Sequence, residues 1–157
     1  MLAPELEARY KLINKILDKL NISQVLELAS GYTSRGVRYS KKEYNYIEMD
    51  LENVSKNKIN ILKSINNFIP DNLHIISGNA LRKNAFDKCK KNLKVSEPVA
   101  VINEGLLRYL TFEEKRIVAK MYIIYYQNLV EYGLLEMLHL RNLYRIKIKT
   151  CLILIKS

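Results

Sequence analysis

Cysteine, proline and glycine are scarce in this sequence of 157 residues, with counts of two, three and five. The two cysteines, Cys89 and Cys151, cannot build a disulfide framework, and they form no CxxC pattern of the kind that binds a metal. Such cysteine usage is typical of a reduced compartment, so we expect a cytoplasmic protein without a metal site. Because linkers and internal repeats are also absent, we expect a single domain.

Long apolar runs are missing as well. The first ten residues are mixed and charged, unlike a signal peptide. The apolar run at residues 151–155 is far too short to cross a bilayer. We therefore expect no membrane association.

Acidic residues are few, with 16 Asp and Glu against 26 Lys and Arg, and the net charge is +10. This balance is compatible with nucleic-acid binding. However, the lysines are scattered among Asn, Ile and Tyr, without an Arg-rich run or an RNA-binding motif. A solvated surface explains the charge more simply, so nucleic acid is a disfavoured partner. The hydrophobic share of 48 % indicates a packed core.

Helical signals occur at intervals along the chain. Apolar residues recur at helical spacing in residues 4–20 and 51–68, and another helix is expected through Phe86. Thr111 and Glu114 form the pattern of a capping box, in which the Thr caps a new helix and the Glu follows three residues later.

Strand-like segments lie between these helices. Four short apolar runs, most of them bounded by turn-forming residues, predict strands at residues 24–28, 44–49, 73–76 and 98–102. Strands that alternate with helices predict an α/β fold, a parallel sheet with helices on both faces. Ligands of such folds bind beyond the carboxyl ends of the strands.

Residues suited to ligand binding stand at these strand ends. The first strand carries Glu27 and leads into a turn of small residues that contains Gly31. Asp50 follows the second strand, about 20 residues beyond the turn, the spacing at which a carboxylate accepts hydrogen bonds from a ribose diol. Asn79 follows the third strand and Glu104 the fourth.

The type of cofactor follows from these residues. A dinucleotide needs a G-x-G-x-x-G turn for its pyrophosphate, and only Gly31 fits that frame well. S-adenosylmethionine has no phosphate, but it has a cationic sulfonium, an amino acid end, a ribose and an adenine. Acids gathered at one sheet edge are costly unless a cation or hydroxyl groups interact with them. This favours S-adenosylmethionine over a nicotinamide cofactor.

Each of these residues also has a purely structural interpretation. Gly31 would serve only a loop turn, and Asn79 would be an ordinary turn residue. Glu27 would pair with a lysine, and Asp50 would cap the helix that starts at residue 51. Glu104 would be a surface acid. These alternatives stay open at the level of sequence.

Five stretches of the sequence, in order and at suitable spacing, carry a family resemblance: E-A-R at 7–9, V-L-E-L-A-S-G through S-R-G at 25–36, Y-I-E-M-D-L at 46–51, S-G-N-A-L at 77–81 and I-N-E-G-L-L-R-Y-L at 102–110. In them the chain resembles the leucine carboxyl methyltransferase family, including its bacterial O-methyltransferase relatives of the polyketide-tailoring type. The resemblance covers residues 4–120. It implies a Rossmann-like class I methyltransferase fold and S-adenosylmethionine as cofactor.

The resemblance also implies roles for single residues. Gly31 matches the glycine of the cofactor turn, and Asp50 matches the acid that holds the ribose. Glu104 matches the acid near the methionine end of the cofactor. Arg9 resembles an upstream arginine that meets the cofactor carboxylate.

Asn79 and Ala80 match the pair that flanks the adenine in this family, although relatives often have Asp in place of Asn79. Two further departures lie in the turn after the first strand. Ala29 and Thr33 stand where many methyltransferases have glycine, and Thr33 in particular is expected to affect cofactor affinity.

The implied reaction is transfer of a methyl group from the sulfonium to an oxygen of a carboxylate or a hydroxyl. Catalysis would consist chiefly of in-line positioning, with electrostatic tuning by the pocket. A carboxylate acceptor needs no general base, whereas a hydroxyl does. The sequence offers no candidate base, because His74 and His139 lack a partner pattern and are read as non-catalytic. The catalytic residues therefore stay unassigned.

The resemblance ends after Lys120. The family expects the next helix to stop at Gly-Gly and a strand to begin V-W-I-T, but residues 121–126 are bulky on every side. Back-translated codons of residues 121–141, read one base earlier, yield N-V-Y-N-L-L-S-K-F-G-G-V-W-I-T-R-D-A-S-F-K. We therefore interpret residues 1–120 as the cofactor-binding part of one methyltransferase domain and residues 121–157 as an out-of-frame tail. About four strands, missing later strands and an exposed sheet edge would follow.

Three functions stay open at this level. The first is an S-adenosylmethionine-dependent O-methyltransferase in truncated form. The second is an inactive remnant that keeps the motifs of a disrupted methyltransferase gene. The third is a basic module for RNA or an acidic partner, whose affinity would fall steeply with salt. The methyl acceptor is not assigned.

Overall fold

The computed structural model describes residues 3–94, 97–127 and 150–155 of the chain. Its helices and strands follow one another in this order: α1 (Ala3–Leu17), β1 (Gln24–Leu28), α2 (Arg35–Ser40), β2 (Asn45–Asp50), α3 (Glu52–Asn66), β3 (Leu73–Ser77), α4 (Lys83–Lys90), β4 (Val99–Glu104), a 3₁₀ helix (Leu106–Tyr109), α5 (Phe112–Gln127) and β5 (Thr150–Ile155). The four predicted strands are all present. Helix α2 is an addition, because its six residues are too few to show helical periodicity.

The strands form one sheet in the order β3-β2-β1-β4-β5, and β1 to β4 run parallel. The predicted α/β architecture is thus confirmed. Along the chain, the strand order reverses beside β1, where Leu28 pairs with Met49 of β2 on one side and with Asn103 of β4 on the other. A sheet of this kind binds its ligand at such a reversal, beyond the carboxyl ends of the strands.

Strand β5 corrects one expectation. It runs antiparallel to β4, with Glu104 opposite Thr150 and Val99 opposite Ile155. The backbone of β4 therefore has a partner on both sides, and the exposed edge expected beside it is wrong. Residues 128–149 of the tail, with His139 among them, lie outside the described residues. The interpretation of residues 121–157 as an out-of-frame tail stays a prediction.

The core has two parts, one on each face of the sheet, because successive strand residues point to opposite sides. On one face, Leu26 and Val101 pack with Phe86 of α4 and Val118 of α5. On the other face, strand residues pack against α1 and α2. The buried residues of this second part are Ile13, Leu17, Val25, Tyr39, Tyr46, Leu73, Ala100 and Ile102. Helices on both faces are what the alternating pattern predicted.

Among the described residues, two cations are buried on the α1 and α2 side, against the expectation that positive charge forms a solvated surface. Arg35 is 0 % exposed and Lys58 is 3 % exposed. Arg35 contacts Glu27, and Lys58 lies 2.6 Å from Glu48. A charge that is removed from water is tolerated when a partner of opposite sign is held against it. Each of these buried cations therefore forms an ion pair with a buried acidic residue of a strand.

Candidate functional site

The carboxyl ends of the four parallel strands bring most of the predicted site residues to one edge of the sheet. Gly31 follows β1, Asp50 ends β2, Asn79 follows β3 and Glu104 ends β4. No helix in the described part of the chain is long and apolar enough to cross a membrane. The same residues contain no group of three His, Cys, Asp or Glu side chains that is placed to hold a metal.

Gly31 and Asp50 are in direct contact. Gly31 adopts a φ of +56°, and its N–H donates a hydrogen bond of 2.7 Å to Oδ2 of Asp50. A left-handed backbone of this kind favours glycine. A Cβ atom at Gly31 would have no atom within 4 Å apart from its chain neighbours, so the space directly beside the turn is open. The turn therefore has room for a ligand directly against its backbone.

Asp50 joins three parts of the site. Its Oδ1 accepts the N–H of Leu51 at 2.7 Å, and its carbonyl oxygen accepts the N–H of Gly78 at 2.8 Å. Leu51 is the residue that precedes α3, so Asp50 does not occupy the capping position itself. Each carboxylate oxygen accepts one backbone N–H and keeps a second lone pair for a ligand hydroxyl.

Glu104 lies among arginines at the end of β4. Its Oε2 accepts a hydrogen bond of 2.7 Å from Arg35, and its Oε1 lies 3.5 Å from Nε of Arg9. The side chain of Glu104 is 14 % exposed and that of Arg9 is 20 % exposed, so both still reach solvent. The pair that the family resemblance assigned to the methionine end is thus adjacent in space.

Glu27 lies deeper than the other predicted residues. It is 1 % exposed, and its two oxygens accept hydrogen bonds from Arg35 and from the hydroxyl of Tyr46, the latter at 2.7 Å. Burial raises the pKa of Glu27, and the Arg35 charge acts against that rise. The cation beside it is an arginine, not the lysine of the structural alternative. Direct contact between Glu27 and the cofactor stays a prediction.

Asn79 and Ala80 form the turn after β3. The side-chain oxygen of Asn79 accepts the N–H of Leu81 at 2.8 Å, an Asx turn that stabilises this bend. Ala80 is 8 % exposed and belongs to the core on the α4 side. Their role beside the adenine stays a prediction, and the turn role of Asn79 is observed.

The two departures from the family pattern are visible in the turn after β1. Ala29 adopts a φ of +52°, a conformation that costs a residue with a side chain more than it costs glycine. Oγ1 of Thr33 is buried without a hydrogen-bond partner among the described residues. Such a hydroxyl is costly unless a water or a ligand satisfies it.

Sequence reasoning missed Arg35, although the residue lies in one of the stretches of family resemblance. It donates hydrogen bonds to Glu27, Glu104 and Asn14, and it stacks on the ring of Tyr10. The sequence did indicate such a residue, because two acids on one face of adjacent strands require a cation between them. It was overlooked because all positive charges were interpreted as surface charges.

Comparison with known proteins decides the family. The leucine carboxyl methyltransferase family matches residues 3–122, well over half of the chain. The chain belongs to the leucine carboxyl methyltransferase family. This membership confirms the predicted family and implies S-adenosylmethionine as the cofactor. No curated protein sequence matches the chain.

Solved structures resemble the chain at low identity. The PH0226 protein from Pyrococcus horikoshii OT3 is 16 % identical over 71 % of this chain and 64 % of its own length, with a TM-score of 0.44. A protein from Methanococcus maripaludis, proposed to be an S-adenosyl-L-methionine-dependent methyltransferase, is 12 % identical over 93 % of this chain and 83 % of its own, with a TM-score of 0.46. A protein from Staphylococcus aureus, proposed to be a caffeoyl-CoA O-methyltransferase, is 15 % identical over 94 % and 82 %, with a TM-score of 0.44. The family assignment rests on the sequence match.

Proposed function

We propose that the chain binds S-adenosylmethionine in the crevice at the carboxyl ends of β1 and β4 and serves methyl transfer to an oxygen of a carboxylate or a hydroxyl. The contact between the Gly31 N–H and the Asp50 carboxylate carries this proposal. It places an acid with free lone pairs beside an open glycine turn, at the point where the strand order reverses.

The residues present fit the chemical groups of the cofactor. Asp50 would accept hydrogen bonds from the ribose hydroxyls, while Glu104 and Arg9 offer opposite charges to the ammonium and the carboxylate of the amino acid end. Gly105, like Gly31, has a positive φ and no atom within 4 Å of the position that a side chain would take. Both glycines therefore leave space beside the crevice.

The sulfonium would supply the methyl group, and residues of the chain would hold the cofactor in position. Asp50 on one side and Glu104 on the other would fix the two ends of the ligand, so that the methyl group faces the acceptor in line. A carboxylate acceptor requires no proton removal, whereas a hydroxyl acceptor requires a base. The site residues named above include no neutral histidine, which is why both acceptor classes stay in the proposal.

Titration calorimetry with S-adenosylmethionine and S-adenosylhomocysteine tests the cofactor site. Asp50→Asn replaces the carboxylate that would accept hydrogen bonds from the ribose hydroxyls with a neutral amide. We therefore expect the affinity for both ligands to fall about 10- to 100-fold, the effect of losing charged hydrogen bonds. Asp71→Asn changes an exposed acid just before β3, at the opposite edge of the sheet, and is expected to bind like the unchanged chain. Binding that survives Asp50→Asn at full strength would remove the ribose assignment.

We also propose that the reading frame changes near Lys120 and that residues 1–120 are the part that binds the cofactor in the cytoplasm. In support, the family match ends at residue 122. Sequencing the coding DNA tests this, since the other reading frame beyond codon 120 should encode the Gly-Gly stop and the V-W-I-T strand. A DNA sequence that encodes neither in that frame would contradict the proposal. If the chain binds the cofactor and transfers no methyl group while a frame-restored version does, the chain is the inactive remnant.

A further inference from the structure

Arg35 is a fully buried cation to which cofactor binding as proposed above assigns no role. Its guanidinium donates from Nε to Asn14 at 3.0 Å, from one terminal nitrogen to Glu27, and from the other to Glu104 at 2.7 Å. The Cζ atom of the same group lies over the ring of Tyr10, 4.5 Å from its centre. Only a planar fork with several donors satisfies acceptors in this arrangement.

The strand register explains why a cation is needed here. Glu27 of β1 lies opposite Ile102 of β4, and Glu104 is two residues further along β4. Residues two apart on a strand share a face, so both carboxylates point to the same side of the sheet. Their mutual repulsion contributes to the raised pKa of Glu27, and Arg35 lies between them.

The two carboxylate oxygens of Glu104 differ because Arg35 binds only one of them. Oε2 is bound by the buried guanidinium at 2.7 Å, whereas Oε1 is 3.5 Å from Arg9, too long for a hydrogen bond. The carboxylate is therefore fixed at its inner oxygen and free to accept a donor at its outer one.

Arg35 also holds the helix that carries Arg9. Asn14, its hydrogen-bond partner, and Tyr10, its stacking partner, both belong to α1, and Tyr10 is the neighbour of Arg9. One guanidinium thus sets the place of the acid directly and the place of the second arginine through the helix.

We propose that Arg35 is a positioning residue for the amino acid end of the cofactor. It aligns Oε1 of Glu104 and the guanidinium of Arg9 as a pair that binds a zwitterion, the ammonium on Glu104 and the carboxylate on Arg9. The inference rests on the proposed function. It predicts that Arg35 acts on one end of the ligand only, which a general structural role would not do.

Two ligands that differ in this end provide the test. S-adenosylhomocysteine has the amino acid end, and 5′-methylthioadenosine has the same adenine and ribose without it. For Arg35→Gln we expect affinity for S-adenosylhomocysteine to fall about tenfold or more, as for the loss of charged hydrogen bonds. Affinity for 5′-methylthioadenosine is expected to stay unchanged. Arg35→Lys keeps the charge without the fork and is expected to recover part of the lost affinity.

Arg38→Gln is the matched control. Arg38 lies on the same helix, is half exposed and approaches Asp18 only to 3.9 Å, so both affinities should stay as they are. If Arg35→Gln fails to fold, as judged by circular dichroism, Arg35→Lys takes its place. It must then lose affinity for S-adenosylhomocysteine while its affinity for 5′-methylthioadenosine stays unchanged.

The outcomes separate the inference from the function on which it rests. If the unchanged chain binds neither ligand, the proposed function falls and the inference falls with it. If the unchanged chain binds both, and the folded Arg35 variant loses both equally or neither, the inference alone is overturned.

Discussion

At the scale of single residues, two acids at neighbouring strand ends take different roles because their surroundings differ. Asp50 is partly exposed, and its carboxylate accepts two backbone N–H groups, which leaves lone pairs for a ligand. Glu27 is buried, and both of its oxygens are engaged by Arg35 and Tyr46. Residue type and spacing predict both acids at the sheet edge. Which of them faces a ligand depends on burial, and the sequence does not show burial.

Gly36 is a position where any side chain meets an obstacle. A Cβ there would lie 2.8 Å from Cδ1 of Leu73 and even closer to the carboxylate of Glu48. Gly36→Ala should therefore destabilise the fold by about 1–3 kcal/mol, the usual effect of overpacking. The midpoint of urea unfolding measures this. Lys41→Ala changes an exposed residue just after the same helix and should leave the midpoint in place. Equal midpoints for both variants would contradict the packing.

Ala29 offers a change in the opposite direction. Its φ of +52° strains a residue with a side chain. Ala29→Gly should stabilise the chain by about 0.5–1 kcal/mol, because the strain exceeds the added entropy of the unfolded state. Thermal unfolding at fixed pH checks the prediction. A lower melting temperature would show that Ala29 is not strained.

At the scale of elements, local signals succeed for the strands, which are recognised by short runs of apolar residues. The runs predict β1 to β4 because strands covered by helices are mostly apolar, although Glu27 and Glu48 interrupt β1 and β2. Helix α2 has only six residues and one glycine, so no period reveals it. Strand β5 pairs with β4 across a gap of more than forty residues, and no local pattern specifies such pairing.

The capping box predicted from the sequence lies at the start of α5. Thr111 Oγ1 accepts the N–H of Glu114 at 3.3 Å, and the Glu114 carboxylate accepts the N–H of Thr111 at 2.7 Å, so the predicted capping box is confirmed. Thr111→Ala should cost about 1 kcal/mol in the free energy of unfolding. Thr111→Ser keeps the hydroxyl and should retain most of the stability. Equal losses in both variants would show that the cap contributes nothing.

At the scale of the whole molecule, charge is organised across the sheet. Glu27 and Glu48 lie directly opposite each other on adjacent strands, and each is buried against its own cation. Burial raises the pKa of Glu48 to about 7, although Lys58 lowers it in part and Glu27 adds to the rise. Like charges that face each other in a sheet are destabilising. The scattered lysines of the sequence give no indication of this arrangement, because it depends on which strands become neighbours.

This arrangement predicts a dependence of stability on pH. A carboxyl group with a raised folded pKa binds its proton more tightly in the folded chain, so its contribution is fully present below about pH 4.5 and is lost as the pH rises to about 7. A rise of this size corresponds to at most about 3 kcal/mol. We expect the free energy of unfolding, measured with urea, to decrease across this window.

A pair of double variants isolates the effect. Glu48→Gln with Lys58→Met removes the buried pair and should flatten the decrease between pH 5 and pH 7. Glu52→Gln with Lys56→Met removes an exposed ion pair of the same 2.6 Å length and should leave the slope unchanged. If the free energy of unfolding decreases equally with pH in both double variants, the pH dependence does not arise from the buried pair.

The central claim concerns where the cofactor binds, and a crystal structure of the chain with S-adenosylhomocysteine tests it most directly. We predict the ribose hydroxyls at the Asp50 carboxylate, beside the Gly31 N–H, and the amino acid end at Glu104 and Arg9. A ligand bound elsewhere, or a ribose without contact to Asp50, would contradict the account.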